Sequence, residues 1–195
     1  MPAKVQLEPS IVHFYSWPLV LVTCADANGR PNIIALAASS PCSYTPPTIG
    51  IAVAPPRYSH DLIAERGEFG VNIPAQDQLE KADLTGSISG RDTDKFAEAG
   101  FTAMPSSRIA APLIAECPIN FECRLVHTAK LGSHDWFIGE IVAVHADAGL
   151  VDGGRIDQSR VNGVVCWWGE YFAPGPKLAD WNFSLKRRRE GKKAG

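Results

Sequence analysis

The sequence predicts a β-rich α+β fold, a six- or seven-stranded antiparallel barrel with helices inserted between strands. Three observations predict it. Residues 18–25 "PLVLVTCA" form an apolar run with little alternation, the mark of a strand buried on both faces. Strand-like runs flank a helical middle, and no repeat or linker divides the chain. No GxGxxG opens a helix after a strand, which argues against a doubly wound nucleotide-binding sheet.

In chain order, "DANGR" (26–30) follows the first run, and its Asn28-Gly29 supplies positive φ cheaply, so it reads as a hairpin turn into 32–37 "NIIALA". The stretch 35–47 "ALAASSPCSYTPP" reads as a loop, and 48–54 "TIGIAVA" as a third strand. Residues 59–66 "SHDLIAER" read as a helix with Ser59 as N-cap, Asp61 in the first turn and Gly67 as the stop. A short strand at 68–73 follows, then helices at 76–84 and 92–99, the second ended by Gly100, then a proline-punctuated loop over 101–118. In 119–127, Ile119, Phe121, Cys123 and Leu125 share one face. In 135–145 the apolar face is Trp136, Ile138, Val142 and Val144, interrupted by Glu140. Residues 162–172 "NGVVCWWGEYF" read as a last strand, whose Trp167, Trp168 and Tyr171 fill the core or, as the alternative, wall the ligand pocket.

Composition narrows the function. Hydrophobic residues make up 45% and the net charge is −2, as in a folded globular protein without a strong field. Residues 1–185 read as one domain. Residues 186–195, with Lys186, Arg187, Arg188, Arg189, Lys192 and Lys193, read as a basic, disordered, solvated tail, and without them the body carries a charge of about −7. The tail's second reading is a docking point for nucleic acid or acidic lipid. Five cysteines without a CxxC point to free thiols in a reducing compartment. The apolar run 14–25 is too short to span a bilayer and lacks a basic leader, so the expected location is cytoplasmic. There is no P-loop and no HExxH, and "GSISG" (86–90) has Ile88 where a nucleophile elbow needs serine. No metal site is expected, and an organic cofactor is the expected agent of any chemistry.

Two segments suit a planar, anionic ligand. "PPRYSHDLIAE" (55–65) sets Arg57 and Ser59 at a helix start, where free N–H groups, the helix dipole and a guanidinium favour phosphate. The same residues also suit plain capping. In 35–47, small residues let a flat ring approach the backbone, and the hydroxyls of Ser39, Ser40 and Ser43 add hydrogen bonds without charge. That composition fits a tightly packed loop over a barrel end equally well.

Four blocks then carry a resemblance: "PLVLVTCADANGRPNIIALAASSPCSYTPPTIGIAV", "PRYSHDLIAERGEFGVNI", "GSISGRDTDKFAEAGFT" and "ECPINFECRLVHTAKLGSHDWFIGEIVAV". In order and spacing the chain resembles the flavin reductase-like family, most closely its flavoredoxin-type branch. The resemblance implies an FMN-binding split β-barrel, a homodimer with flavin near the subunit interface, and NADH or NADPH as electron donor. Carried over by position, Asn32 and residues 35–40, including Ala37 and Ala38, line the flavin, Arg57 and Ser59 hold its phosphate, Lys95 reaches it, and Asn72 adds a contact. His134, in "GSHDWF", stands near the isoalloxazine and the nicotinamide pocket and is the expected catalytic residue. Each has a structural alternative: a hairpin cap for Asn32, a surface position for Lys95, a strand-end role for Asn72 and a solvated loop for His134. Ala35 and Ala38 depart from the Thr and bulkier residue common in relatives, and Pro41 removes a backbone N–H. The implied function is an NAD(P)H-dependent flavin reductase feeding an oxygenase or other electron acceptor. The alternatives are a flavoredoxin-type electron carrier and a non-enzymatic binding module with a basic tail.

Overall fold

The computed structural model describes residues 2–14 and 16–191. Its main sheet has seven strands: β1 (Val20–Ala25), β2 (Pro31–Leu36), β3 (Ser39–Tyr44), β4 (Pro47–Val53), β5 (Glu68–Ile73), β6 (Ile119–Lys130) and β7 (Asp135–Ala146). Their order is β2-β1-β5-β6-β7-β4-β3, every neighbour antiparallel. The two edge strands are consecutive in the chain, joined through Ala37 and Ala38. The sheet therefore rolls so that its two edges come together at that link, while Ala52 N–H of β4 donates to the Ala38 carbonyl at 2.9 Å and extends the β3–β4 ladder into it. This is the barrel that the sequence predicts.

Strand β1 is buried along its whole length, as its unbroken apolar run requires. Alternate residues serve two cores. Val20, Val22 and Cys24 face the barrel interior with Ile51, Phe69 and Phe137. Leu21 faces outward and packs with Ile33, Ala82 and Phe96. The outer core is covered by α2 (Leu79–Ser87) and α3 (Lys95–Ala99), while α1 (Tyr58–Arg66) plugs the barrel interior with Leu62 and Ile63. A fully buried side chain of this size contributes roughly 1.5–3 kcal/mol.

Several elements differ from expectation for local reasons. The stretch 35–47 is not a loop, because Ser39–Tyr44 pairs with β4 as an exposed edge strand. Its small hydroxylated residues carry no alternation to read. Ser59 is not the N-cap of α1. The helix begins at Tyr58 after an extended Arg57 that makes no side-chain cap, while Gly67 closes it in the left-handed conformation at φ 66°. Helix α2 runs on to Ser87, preceded by a 3₁₀ turn at Gln76–Gln78. Helix α3 starts only at Lys95, because the Asp94 carboxylate accepts from the N–H groups of Phe96 and Ala97. Within 101–118, Ala103–Met104 pairs with Leu113–Ile114.

Strand β7 turns its other face to the core. Phe137 and Ile141 point into the barrel, while Trp136, Ile138 and Val142 are half-exposed and Val144 is exposed. Residues 162–172 form two short strands, Val165–Trp167 and Glu170–Phe172, because Trp168 and Gly169 turn the chain at φ 41° and 81°. Trp167, Trp168 and Tyr171 are accordingly exposed rather than in the core. The basic end is helical through Gly191 as α4 (Phe183–Gly191), where a disordered tail was expected, although Phe183–Arg188 expose their side chains. Residues 192–195 of that expected tail lie outside the described residues. No helix among the described residues is long and apolar enough to cross a membrane.

Candidate functional site

Three adjoining chambers share walls, and Gly86 lines all of them. The first, about 130 Å³, lies against the start of α1 and is lined by Arg57, Ser59, Ser87, Ser89, Gly90 and Lys95 among others. Ile34, Arg57 and Gly86 continue into a second, of about 110 Å³, walled by Ala35, Leu36, Ala52, Ala54 and His134. Ala35, Leu36 and Gly86 lead on to a third, of about 280 Å³, which reaches Ala37, Asp83, Cys166 and Tyr171.

The first chamber is built for an anion. Two cations and three serine hydroxyls line it, and no carboxylate does. The first N–H groups of α1 have no partner within the helix, and the dipole adds partial positive charge. Lys95 is a buried wall, only 4% exposed, and its ammonium donates to the Thr85 carbonyl at 2.7 Å. Burial above all pulls its pKa down to about 8, and the like charge of Arg57 adds to the fall. The Cys24 sulfur would oppose this as a thiolate. Burial instead pushes that thiol up to about 12, so it is neutral near pH 8 and supplies no counter-charge. Two cations held together without an acid form a site that an anion stabilises.

Asn32 lies behind the wall of this chamber, bonded to Ser59. Its Nδ2 donates to Ser59 Oγ at 2.7 Å, and its buried Oδ1 has no hydrogen-bond partner. Gly90 lies so close that a Cβ there would sit 2.0 Å from that oxygen. Only glycine lets the 86–90 loop close over Asn32 without displacing it. The chemistry fits a phosphate monoester at this end and a flat, uncharged ring along the alanine-walled second chamber.

Of the expected site residues, Arg57, Ser59 and Lys95 come together around the first chamber, with Asn32 behind Ser59. His134 is exposed on the wall of the second and shares it with Arg57. Ser133 Oγ meets its Nδ1 at 2.9 Å, so Nε2 is the nitrogen left for a ligand. Ala37 lines the third chamber, whereas Asn32, Ala38, Ser39, Ser40 and Ser43 line none of the three. Ser40 Oγ and Ser43 Oγ engage their own strand, at Pro41 O and Thr45 N.

Asn72 is a correction. It is fully buried, donates to Leu21 O and Thr23 Oγ1, and accepts from Ile114 N and Asn120 Nδ2. Its amide is saturated inside the protein, so it is a structural strut with nothing left for a cofactor.

The sequence reading missed the wall formed by Gly86–Gly90: it tested "GSISG" as a nucleophile elbow and counted it in the third block of the resemblance, but gave it no place at the site. Its signal was two glycines bracketing two serines at a helix end. The reading also missed Asp83, whose carboxylate accepts from the Tyr171 hydroxyl at 2.6 Å in the third chamber. Desolvation, with this bond second, raises the Tyr171 pKa above the usual phenol range.

With this geometry in place, the relatives are informative. The model of the flavin reductase like domain matches residues 12–163. The chain belongs to that family. It stands on the flavoredoxin-type branch. It is 34% identical to the flavoredoxin of Desulfovibrio vulgaris (Miyazaki F), covering 94% of this chain and 100% of that one at a TM-score of 0.87. It is 27% identical to the flavoredoxin from Methanosarcina acetivorans, covering 96% and 100%, again at 0.87. Among curated relatives it is 28% identical over 127 residues to the FMN reductase (NADH) RutF of Stutzerimonas stutzeri, 64% of this chain and 69% of that protein. As a family member the chain has the split barrel of the flavin reductases.

Proposed function

We propose that this chain binds FMN and acts as an NAD(P)H-dependent flavin reductase. The observation that carries the reading is the shared wall: Arg57 borders both the anion chamber and the alanine-walled chamber that ends at His134. When bound, FMN accepts a hydride from the nicotinamide and passes electrons to an oxygenase or other acceptor. The protein's share is placement. Arg57, Ser59, Lys95 and the α1 N-terminus hold the phosphate. Ala35, Ala52 and Ala54 leave the thickness of a ring. His134, oriented by Ser133, offers Nε2 at the open face to a nicotinamide or to a proton. No covalent nucleophile is required, in keeping with a site that has no triad.

The homodimer belongs to the same reading. Val126, Ile138 and Val142 leave apolar surface on β6 and β7 outside the barrel core, with Val126 more than half exposed. A second copy covering that surface would bury it.

The near-full-length likeness to a flavoredoxin favours a second reading, an FMN carrier reduced by a protein partner. Anaerobic mixing with NADH or NADPH separates the two. Rapid loss of flavin absorbance is the result expected of a reductase, and a flavin that stays oxidised with both nucleotides is that of a carrier.

Lys95 gives this reading a pH signature. FMN affinity is expected to be greatest between roughly pH 6, where the second phosphate proton leaves, and about 8, where Lys95 loses its own. Above that, each pH unit weakens binding by up to about tenfold until the bound lysine also titrates. The unfolded chain holds its Lys95 proton to about 10.5, so the cofactor-free protein gains stability from pH 8 upward while FMN affinity falls. Fluorescence titrations of FMN from pH 5 to 10 check the first trend, and urea melts of the apoprotein the second.

A further inference from the structure

One buried pair near the site has no part in the chemistry above. His60, in the first turn of α1, sets Nε2 against Asp135 Oδ2 at 2.9 Å, with both side chains largely buried, at 15% and 11% exposure. Asp135 is the first residue of β7 and directly follows His134. His60 lies three residues after Arg57 and one after Ser59. The pair therefore ties the turn that bears the anion site to the strand end that bears His134, across β4, whose Val53 is the register partner of Asp135.

The partners of His60 argue that the bond serves more than packing. The ring sits edge-on to Phe137, 5.0 Å between centroids, a place where an apolar ring packs as well. Yet its Nδ1 is buried with no hydrogen bond, the nearest charged oxygen being Asp61 Oδ1 at 3.5 Å. Burying an imidazole with one nitrogen unbonded costs stability that phenylalanine would not lose. On the other side of the same turn, Arg91 lies over the Tyr58 ring at 5.1 Å and pairs with Asp61 at 3.1 Å, reaching from the loop that closes the first chamber. That pair is about half exposed and screened, so the His60–Asp135 bond is the stiffer of the two braces.

We propose that His60 is a positioning residue that, through Asp135, fixes the spacing between Arg57 and His134. It holds His134 at the working distance from a ring anchored by its phosphate. The inference rests on the flavin reading of the site.

The test is a double-mutant cycle on the FMN-loaded protein, with His60→Phe, His134→Ala and the two combined. Asp135→Asn and His60→Gln serve as the conservative variants, the glutamine keeping a donor for Asp135. FMN binding and anaerobic reduction of the wild type are measured first. His60→Phe is expected to slow flavin reduction at saturating nicotinamide about tenfold while His134 is present and less than about twofold in the His134→Ala background, since misplacing a group acts only through that group. His60→Gln is expected to recover most of the rate. Equal losses in the two backgrounds, or a loss that glutamine does not recover, would overturn the proposal. A wild type that holds FMN but is not reduced by either nucleotide counts against the reductase reading alone. The cycle is then read on the midpoint potential of the bound flavin by dithionite titration, with the same non-additivity expected. A wild type that binds no FMN overturns both.

Discussion

Replacing Arg57 and Ser59 together with alanine is expected to weaken FMN binding by ~2–4 kcal/mol, taking charge-assisted hydrogen bonds at about 1.5–3 kcal/mol each and allowing for non-additivity. The two side chains share the anion chamber, and Arg57 also borders the ring chamber. Losing the guanidinium removes a planar donor fork and leaves Lys95 as the remaining cation lining the chamber. Losing the Ser59 hydroxyl also strips Asn32 Nδ2 of its 2.7 Å acceptor, so the support behind Ser59 loosens as well. Riboflavin, which lacks the phosphate, should bind the variant about as well as it binds the wild type. Equal loss for both ligands would mean that the ring chamber had collapsed instead.

The largest expected effect on stability lies away from the site, at Glu122. Its side chain is fully buried in β6 and accepts from Ser107 N–H and Oγ at 2.8 Å each, from Arg108 N–H at 2.6 Å, and is bonded to His145 Nε2 at 2.6 Å. Desolvation alone would raise its pKa, but these bonds outweigh it and hold the carboxyl at about 2. Glu122→Ala strands those donors and leaves a cavity, a loss of ~3–5 kcal/mol by analogy with broken buried pairs, read as a lower urea midpoint. Glu122→Gln, which keeps one acceptor oxygen, should fall between.

The pH dependence follows in sign. A carboxylate held below its unfolded value stabilises the fold above the unfolded pKa, here 4.5, and that contribution drains away as pH falls towards about 2. At 1.36 kcal/mol per unit it amounts to about 3 kcal/mol. The wild type should therefore lose stability steeply between pH 4.5 and 2, and Glu122→Gln should lose less. Parallel losses in the two proteins would place the acid-sensitive group elsewhere.

How much could be read from the sequence follows from where the information lies. Strand β1 was legible because burial on both faces writes itself as an unbroken apolar run. The αL glycines Gly67 and Gly100 closed their helices where expected, since few other residues adopt that conformation. Strand β3 was hidden because an exposed edge takes its pairing from β4, not from its own side chains. In β7 the bulkiest residues, Trp136 and Ile138, lie on the outer face. Register shifts at Ile138/Gly139 and Ile141/Ala143 also break the period of two. At the site, Arg57 and Ser59 were legible as a helix start. Lys95 and His134 came from resemblance alone, because nothing in their spacing shows that α3 leans a lysine under the α1 N-terminus. For the same reason the sequence left Asn72 open between a cofactor contact and a structural role and gave the 86–90 loop none: whether an amide is saturated, or a glycine loop closes over Asn32, is decided by neighbours far away in the chain.

The central claim is that the chamber at Arg57, Ser59 and Lys95 holds the phosphate of a flavin, and comparing FMN with riboflavin on the purified apoprotein tests it most directly. Fluorescence titration at pH 7 should show FMN binding roughly 30- to 1,000-fold more tightly, the equivalent of the ~2–4 kcal/mol assigned to the phosphate contacts. Equal affinity for the two flavins, or binding of neither, would contradict the account.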